Sequence, residues 1–368
     1  MKLYLVAGEA SGDARGAELM RALRERDPAL EFFGAGGREM RALAGGEFAD
    51  WADEAVVGLW DVLKKYGYFK AQFNRMLADI GRVAPTALIL IDYPGFNLRL
   101  AKAVRARHPA VKIIYYISPQ VWAWNRGRIP KMARLLDLML CIFPFEQPLY
   151  EQSGLKTIFV GHPMIESFAK KRTGVPRDRK LVGLFPGSRA KEVSKIFPAM
   201  LAAAKRMLET DSTLRFEAAA ASPQLEELMR TIAGRDSFVA FVLRDSHGLM
   251  QRAAAGMVAS GTATLEAAYF GMPLVILYKV AWLTWVVGKR LVRVPFLGMP
   301  NILAGREIAR EFLQDAAQPE PIADEVRRLL TDEAARATIE RDLVEVVAKL
   351  GGGGAAARAA DAICSALK

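Results

Sequence analysis

Apolar residues come in short unbroken runs that stop at turn residues and give way to helix-spaced patterns. Leu3–Ala7 runs into Gly8-Glu9-Ala10-Ser11-Gly12-Asp13, after which Leu19, Met20 and Leu23 fall at helical spacing. Ala87–Ile91 ends in Asp92-Tyr93-Pro94-Gly95, and Val111–Ile117 in Ser118-Pro119. The theme restarts beyond the polar stretch Lys170–Lys180. Leu181–Phe185 leads into Pro186-Gly187-Ser188-Arg189, Gly256–Ala259 into Ser260-Gly261-Thr262, and Leu274–Tyr278 follows Gly271-Met272-Pro273. Strands covered on both faces lose their alternation and read as continuous apolar runs, whereas half-exposed strands alternate. The pattern therefore predicts an α/β fold with two doubly wound parallel-sheet, Rossmann-like domains, seamed at 172/173. Gly351–Gly354 releases a last Ala-rich helix. In open sheets of this kind ligands sit beyond the carboxyl ends of the strands, so the residues just after each run are the candidates.

The 368 residues exceed what one small core needs and fit two domains, and 52% hydrophobic content excludes a disordered chain. The two cysteines, Cys141 and Cys364, exclude a disulfide framework or a thiolate zinc site and point to a reducing compartment. Neither H-x-x-x-H nor D-x-D occurs, so the sequence makes no case for a metal. Glu9 and Asp13 follow the first apolar run too soon for a signal peptide, and no run is long enough to span a bilayer, so a soluble or peripheral protein is expected. The formal charge of +11 calls for an anionic partner. Between Tyr93 and Leu136 lie nine basic residues and no acidic one. Trp60, Lys64, Tyr68, Phe69 and Lys70 interleave as on a helix at a lipid interface, or on a core-facing helix with solvated lysines. No nucleic-acid motif appears, and apolar with basic residues suits an anionic lipid better.

Three constellations carry chemistry. Gly187, Ser188 and Arg189 close a strand where exposed amides and a guanidinium can meet phosphate, although no Walker sequence is present. Ser260, Gly261 and Thr262 open a helix whose first amides suit a diphosphate. Glu266 in that helix either accepts from a ribose diol or serves as a capping-box partner. In the first half, Glu9 and Asp92 stand at strand ends; Asp92 is either a general base or the opening of an Asx turn. His162 is the histidine most suited to a cleft. Gly8, Gly12 and Gly16 are four apart, which disfavours a nicotinamide site.

At these loops the chain resembles lipid-A-disaccharide synthases, inverting glycosyltransferases of GT-B architecture. The resemblance runs nearly end to end. It rests on Ala7-Gly8-Glu9-Ala10-Ser11-Gly12-Asp13, Ile91-Asp92-Tyr93-Pro94-Gly95-Phe96-Asn97, Ser118-Pro119-Gln120-Val121-Trp122-Ala123-Trp124 and Phe143-Pro144-Phe145-Glu146. Val160-Gly161-His162-Pro163, Pro186-Gly187-Ser188-Arg189, Ser260-Gly261-Thr262-Ala263-Thr264-Leu265-Glu266 and Pro300-Asn301-Ile302-Leu303-Ala304-Gly305-Arg306 complete it. The resemblance implies transfer from UDP-2,3-diacylglucosamine to 2,3-diacylglucosamine 1-phosphate (lipid X), with UDP released, at the cytoplasmic face of an anionic inner membrane. It implies no cofactor, the UDP-sugar being a substrate. UDP is assigned to Gly187, Ser188, Arg189, Ser260, Gly261, Thr262, Glu266 and Asn301 of residues 173–350. The lipid acceptor is assigned to residues 1–172, to which the helix in 351–368 returns, through Ser11, Asn97, Trp60, Lys64, Tyr68, Phe69 and Trp122. Many members carry Asp where this chain has Gly95, which leaves Asp92 as the carboxylate of its loop and first choice as base, ahead of Glu9 and His162.

Two other readings compete: another UDP-sugar enzyme of the same architecture (a UDP-N-acetylglucosamine 2-epimerase or a lipid II-type glycosyltransferase), and a non-catalytic basic membrane-binding protein. An epimerase needs no acceptor, and a membrane module gains no thermal protection from UDP.

Overall fold

The computed structural model describes residues 1–45, 47–51, 66–234, 237–280 and 294–368. The chain divides into two compact units, Met1–Glu166 with Leu350–Lys368, and Ser167–Lys349. The division falls slightly ahead of the expected seams because the connecting residues fasten to the second unit. Gln251 Nε2 donates to the Lys171 carbonyl (3.0 Å), and its Oε1 accepts from the Thr173 N–H (2.8 Å).

Among the described residues, the first unit holds β1 (Lys2–Ala7), β2 (Glu31–Gly36), β3 (Phe48–Asp50), β4 (Ala87–Ile91), β5 (Lys112–Tyr116), β6 (Leu138–Cys141) and β7 (Thr157–Phe159). They form one parallel sheet in the order β3-β2-β1-β4-β5-β6-β7. The second holds β8 (Asp178–Phe185), β9 (Arg215–Ala220), β10 (Val239–Leu243), β11 (Ala253–Ala259), β12 (Leu274–Tyr278) and β13 (Glu311–Leu313), also parallel, in the order β10-β9-β8-β11-β12-β13. The run of apolar residues in β1 is explained by its two covered faces. Leu3, Leu5 and Ala7 pack with Leu19, Met20 and Leu23 of the helix Ala10–Arg26 and with Ala359, Ala360 and Ile363 of the closing helix Ala355–Leu367. Tyr4 and Val6 face Met76, Leu77 and Ile80 of the helix Tyr66–Val83 and Leu100 and Val104 of the helix Pro94–Arg107.

The closing helix thus belongs to the first core. Gly351, Gly353 and Gly354 turn the chain with positive φ, Arg358 donates to the Val160 carbonyl (2.9 Å), and Arg26 pairs with Asp361 (2.8 Å).

In each unit the crossovers leave in opposite directions from one pair of strands, β1 with β4 and β8 with β11. The registers place Ala7 opposite Ile91 and Phe185 opposite Val258. The loops after those residues therefore open the two topological switch points.

The helix after β1 begins at Ala10, so Ser11, Gly12 and Asp13 belong to its first turn rather than to a preceding loop. Close packing demands glycine inside it: a Cβ on Gly16 would lie 2.3 Å from Met40 Sδ. Strand β2 escaped the pattern because Gly34 and Gly36 interrupt its apolar run; Gly34 has φ +142° and lies so near the Leu5 carbonyl that no side chain fits.

Asp13, only 6% exposed, caps a different helix. The helix Arg38–Ala44 has no side-chain cap of its own, and Asp13 accepts from the N–H groups of Gly37 (2.8 Å), Glu39 (2.9 Å) and Met40 (3.0 Å). Asp13→Ala strands these donors and is expected to lower unfolding free energy by about 3 kcal/mol. Asp13→Asn keeps one acceptor oxygen and should lose less. Urea unfolding checks both, and a loss under about 1 kcal/mol for the Ala variant would contradict this role.

Candidate active site

At the first switch point the chain leaves β4 through two consecutive left-handed residues, Asp92 and Tyr93, both with φ +47°. Such backbone costs roughly 1–3 kcal/mol per residue unless the surroundings hold it. Here they do. Asn97 Nδ2 donates to the carbonyls of Ile91 (3.2 Å) and Asp92 (2.7 Å), and the buried Tyr115 hydroxyl donates to the same Asp92 carbonyl (2.5 Å). The Tyr93 ring lies over Gly8, where a Cβ would fall 2.3 Å from Cδ1, and meets Trp51 edge-on at 5.9 Å. The Trp51 indole donates to the Ala7 carbonyl at the end of β1 (2.7 Å). Phe96 (4.6 Å) and Phe69 (6.3 Å) complete this aromatic wall against Trp51.

Glu9 comes from the end of β1 and Asp92 from the end of β4. Burial pushes the Asp92 carboxyl above its usual range; a hydrogen bond from the Tyr93 N–H opposes this, and the charge of Glu9 adds to it. Ser11 is exposed in the first turn after Glu9. Asn97, expected to touch acceptor, is instead fully buried and spends its amide N–H groups on the Asp92 loop. Its role is to hold the carboxylate's backbone.

His162 follows β7, with its own N–H donated to Leu350 (2.8 Å) and its ring against Phe143. Its Nδ1 accepts from the Met164 N–H (3.2 Å), which assigns the ring proton to Nε2. Burial, aided by the charge of Arg15, lowers its pKa to about 3. With Nδ1 taken by the Met164 N–H, the ring presents a donor at Nε2, an arrangement less suited to a base than the Asp92 carboxylate.

Trp122, expected on the lipid, is also a core residue. It is 3% exposed, and its indole donates to Glu146 Oε1 (2.9 Å) within a cluster containing Phe143 and Phe145. The short helix Val121–Trp124 turns its two tryptophans apart: Trp124 is 47% exposed, with the Arg128 guanidinium 5.3 Å from its ring centre. Residue types at this spacing could not tell the two apart. Glu146 entered the sequence reading only as the end of the Phe143–Glu146 motif, with no role assigned, yet it ties the Trp122 loop to the end of β6 by accepting from the Phe143 N–H as well (3.0 Å). Trp60 and Lys64 lie outside the described residues, as do Trp282 and Trp285.

At the second switch point, Gly187 has φ +114°, and a Cβ there would strike the Glu192 carboxylate. Ser188 and Arg189 beside it are exposed, directly before the helix Ala190–Thr210. Arg189 pairs with Glu192 at 2.9 Å, an exposed contact worth about 0–1 kcal/mol. Across the switch, Gly261 (φ +152°) opens the helix Thr262–Tyr269, with Thr262 exposed. Ser260 gives its hydroxyl hydrogen to the Leu297 carbonyl (2.9 Å), so it fixes a loop instead of donating to a diphosphate as expected. Asn301 likewise departs from expectation. Its Nδ2 donates to Ala309 (2.7 Å) and Glu311 (2.8 Å), and its Oδ1 accepts from Ile308 (2.9 Å) and Ala309 (3.0 Å), which exhausts the buried amide. Glu266 is half-buried, and His247, which no motif of the sequence singled out, touches it.

The family model for lipid-A-disaccharide synthetase matches residues 3–363. The lipid-A-disaccharide synthase of Trichlorobacter lovleyi is 44% identical over 99% of this chain and 97% of its own; that of Geobacter metallireducens is 40% identical over 100% and 97%. The chain belongs to the lipid-A-disaccharide synthase family. It is a glycosyltransferase. Among solved structures, a putative UDP-N-acetylglucosamine 2-epimerase from Listeria monocytogenes has a TM-score of 0.65 at 14% identity, covering 99% of this chain and 96% of its own. That likeness concerns the fold alone: two parallel-sheet units, the GT-B architecture expected of a lipid-A-disaccharide synthase. No helix among the described residues is long and apolar enough to cross a membrane.

Glu146 makes this site's stability depend on pH. Burial raises its carboxyl from 4.5 to about 7 in the folded chain, against hydrogen bonds from Phe143 and Trp122 that favour the ionised form. Its protonation stabilises the fold fully below about pH 4.5, and that contribution is lost as pH rises through 7. Wild type should therefore lose about 3 kcal/mol relative to Glu146→Gln between pH 4.5 and 7. Parallel pH profiles of urea unfolding for the two proteins would show that Glu146 does not titrate.

Proposed function

We propose that this chain transfers the diacylglucosaminyl group of UDP-2,3-diacylglucosamine to the 6-hydroxyl of lipid X, forming the β-1,6-linked disaccharide 1-phosphate and UDP. The observation that carries the mechanism is the half-buried Asp92 carboxylate, fixed at the first unit's switch point by an over-determined backbone. Inversion requires a single displacement at the anomeric carbon. The 6-oxygen forms the new C–O bond, its proton passes to Asp92, and the bond from the anomeric carbon to the diphosphate breaks with its electrons leaving on UDP. A base with a raised pKa holds the accepted proton better than an ordinary aspartate.

Arg189 and the amides opening the helix Thr262–Tyr269 stabilise the departing diphosphate, a contribution of several kcal/mol where such groups are preorganised. Thr262 donates from its exposed hydroxyl, and Glu266 accepts from the ribose. Ser11, Tyr68 and Phe69 flank the acceptor beside the aromatic wall. No cofactor is required by this scheme.

Asp92→Asn should reduce UDP release by at least about 100-fold while leaving UDP affinity unchanged. Near-wild-type turnover would remove Asp92 from the mechanism. Glu9→Gln removes a negative charge that disfavours ionisation of Asp92, so the acid limb of the kcat/KM profile should move to lower pH. The complementary control is acceptor dependence: UDP should appear only when lipid X is present.

The acyl chains place the reaction at an anionic membrane surface on the cytoplasmic side, which the chain meets peripherally. Exposed Trp124 with Arg128 replaces Trp122 as the described residue best suited to that contact. Trp124→Ala should weaken binding to phosphatidylglycerol vesicles about threefold or more without changing the unfolding midpoint. Unaltered vesicle binding would rule this residue out.

A further inference from the structure

Glu266 does not stand alone on its helix. His247 Nε2 lies 2.9 Å from Glu266 Oε2, while Lys171 Nζ lies 3.3 Å from His247 Nδ1. Lysine has only hydrogens to offer, so Nδ1 accepts from it and Nε2–H donates to the carboxylate. The result is a directed chain of hydrogen bonds from an ammonium through an imidazole to a carboxylate. The Glu266 Oε1 atom accepts no hydrogen bond among the described residues and stays available to a ligand.

Two aromatic rings flank the imidazole. Its ring centre lies 4.7 Å from that of Phe168 and 5.3 Å from that of Phe270. Gln251, one turn further along the helix Ser246–Arg252, donates to the carbonyls of both Lys171 (3.0 Å) and His247 (3.2 Å). The segment that follows the first unit in sequence is thereby stapled to the helix that carries the histidine. A glutamate free to sample its three side-chain torsions loses about 1–2 kcal/mol of rotamer entropy when a ligand orders it. One already anchored by a hydrogen bond and a packed ring has lost that freedom beforehand.

We propose that His247 is a positioning residue for nucleotide binding: it pre-orients Glu266 toward the ribose hydroxyls, and Lys171 fixes the imidazole tautomer that makes this possible. The inference rests on the reading of Glu266 as the ribose partner. It adds a residue that touches neither the diphosphate nor the reacting carbon.

The test is calorimetric binding of UDP and of 2′,3′-dideoxy-UDP to the full chain and to three variants. Glu266→Gln should weaken UDP binding about tenfold and leave the dideoxy ligand unaffected. Should it fail to distinguish the two ligands, the reading of Glu266 itself falls, and the proposal with it. Given that distinction, His247→Leu should produce the same selective loss of UDP affinity. His247→Gln, whose side-chain amide places an N–H donor near the lost Nε2–H, should restore UDP binding to within about threefold of wild type. Equal loss of both ligands in His247→Leu would mean a merely structural role and would overturn the proposal. So would unchanged affinity for UDP, with Glu266→Gln still selective.

Discussion

Parallel strands that diverge to opposite sides of their neighbours leave a gap at their carboxyl ends that no crossover covers. In this chain that constraint applies twice, at β1 with β4 and at β8 with β11. The crossover loops must start there, and they start with the residue types that chemistry needs. On the first unit the gap receives carboxylates, Glu9 and Asp92. On the second it receives Gly187, Ser188 and Arg189 on one side and the amide-rich start of the helix Thr262–Tyr269 on the other. One gap therefore suits removal of a proton, and the other suits an anion. The difference follows from side chains alone, since the two sheets share their topology.

Each gap is framed by groups that hydrogen-bond within the protein. Asn97, Tyr115 and Trp51 hold the backbone around Asp92, while Ser260, Asn301 and Glu311 fix loops beside β11 and β12. Asn97 and Asn301 are fully buried, and a buried amide N–H left unpaired costs about 1–3 kcal/mol, so their donors are tied to the arrangement that satisfies them. Precision is achieved by penalty as much as by attraction.

That division also explains what the sequence could and could not reveal. Strands such as Ala87–Ile91 and Leu274–Tyr278 were legible because two-sided burial writes itself as a continuous apolar run. The motif loops were legible because they follow those runs directly. The split of roles within the loops was not. Asn97 and Asn301 have the residue type of a ligand contact, yet they bond to backbone groups and, for Asn301, to the Glu311 carboxylate. Trp122 and Trp124 differ by two positions on one short helix, and which of them is buried depends on Glu146, 24 residues away. His247 meets Glu266 across 19 residues, and no spacing rule reaches that far. Local pattern encodes where a site lies; tertiary partners decide what each side chain there is free to do.

The loop at Asp92 shows how those two levels combine. Two successive left-handed residues are a poor local choice, and a chain without compensation would relax them. Gly8 admits the Tyr93 ring, while Tyr115 and Asn97 converge on a single carbonyl, so the compensation is spread over three other elements. Gly95, by contrast, is under no such demand: its φ is ordinary, and a Cβ there would meet open space. The loop would therefore accept a side chain at that position without rearranging. Its shape is imposed by what surrounds Asp92 and Tyr93, which is why the carboxylate can stay in place while its neighbour three residues on is free to vary.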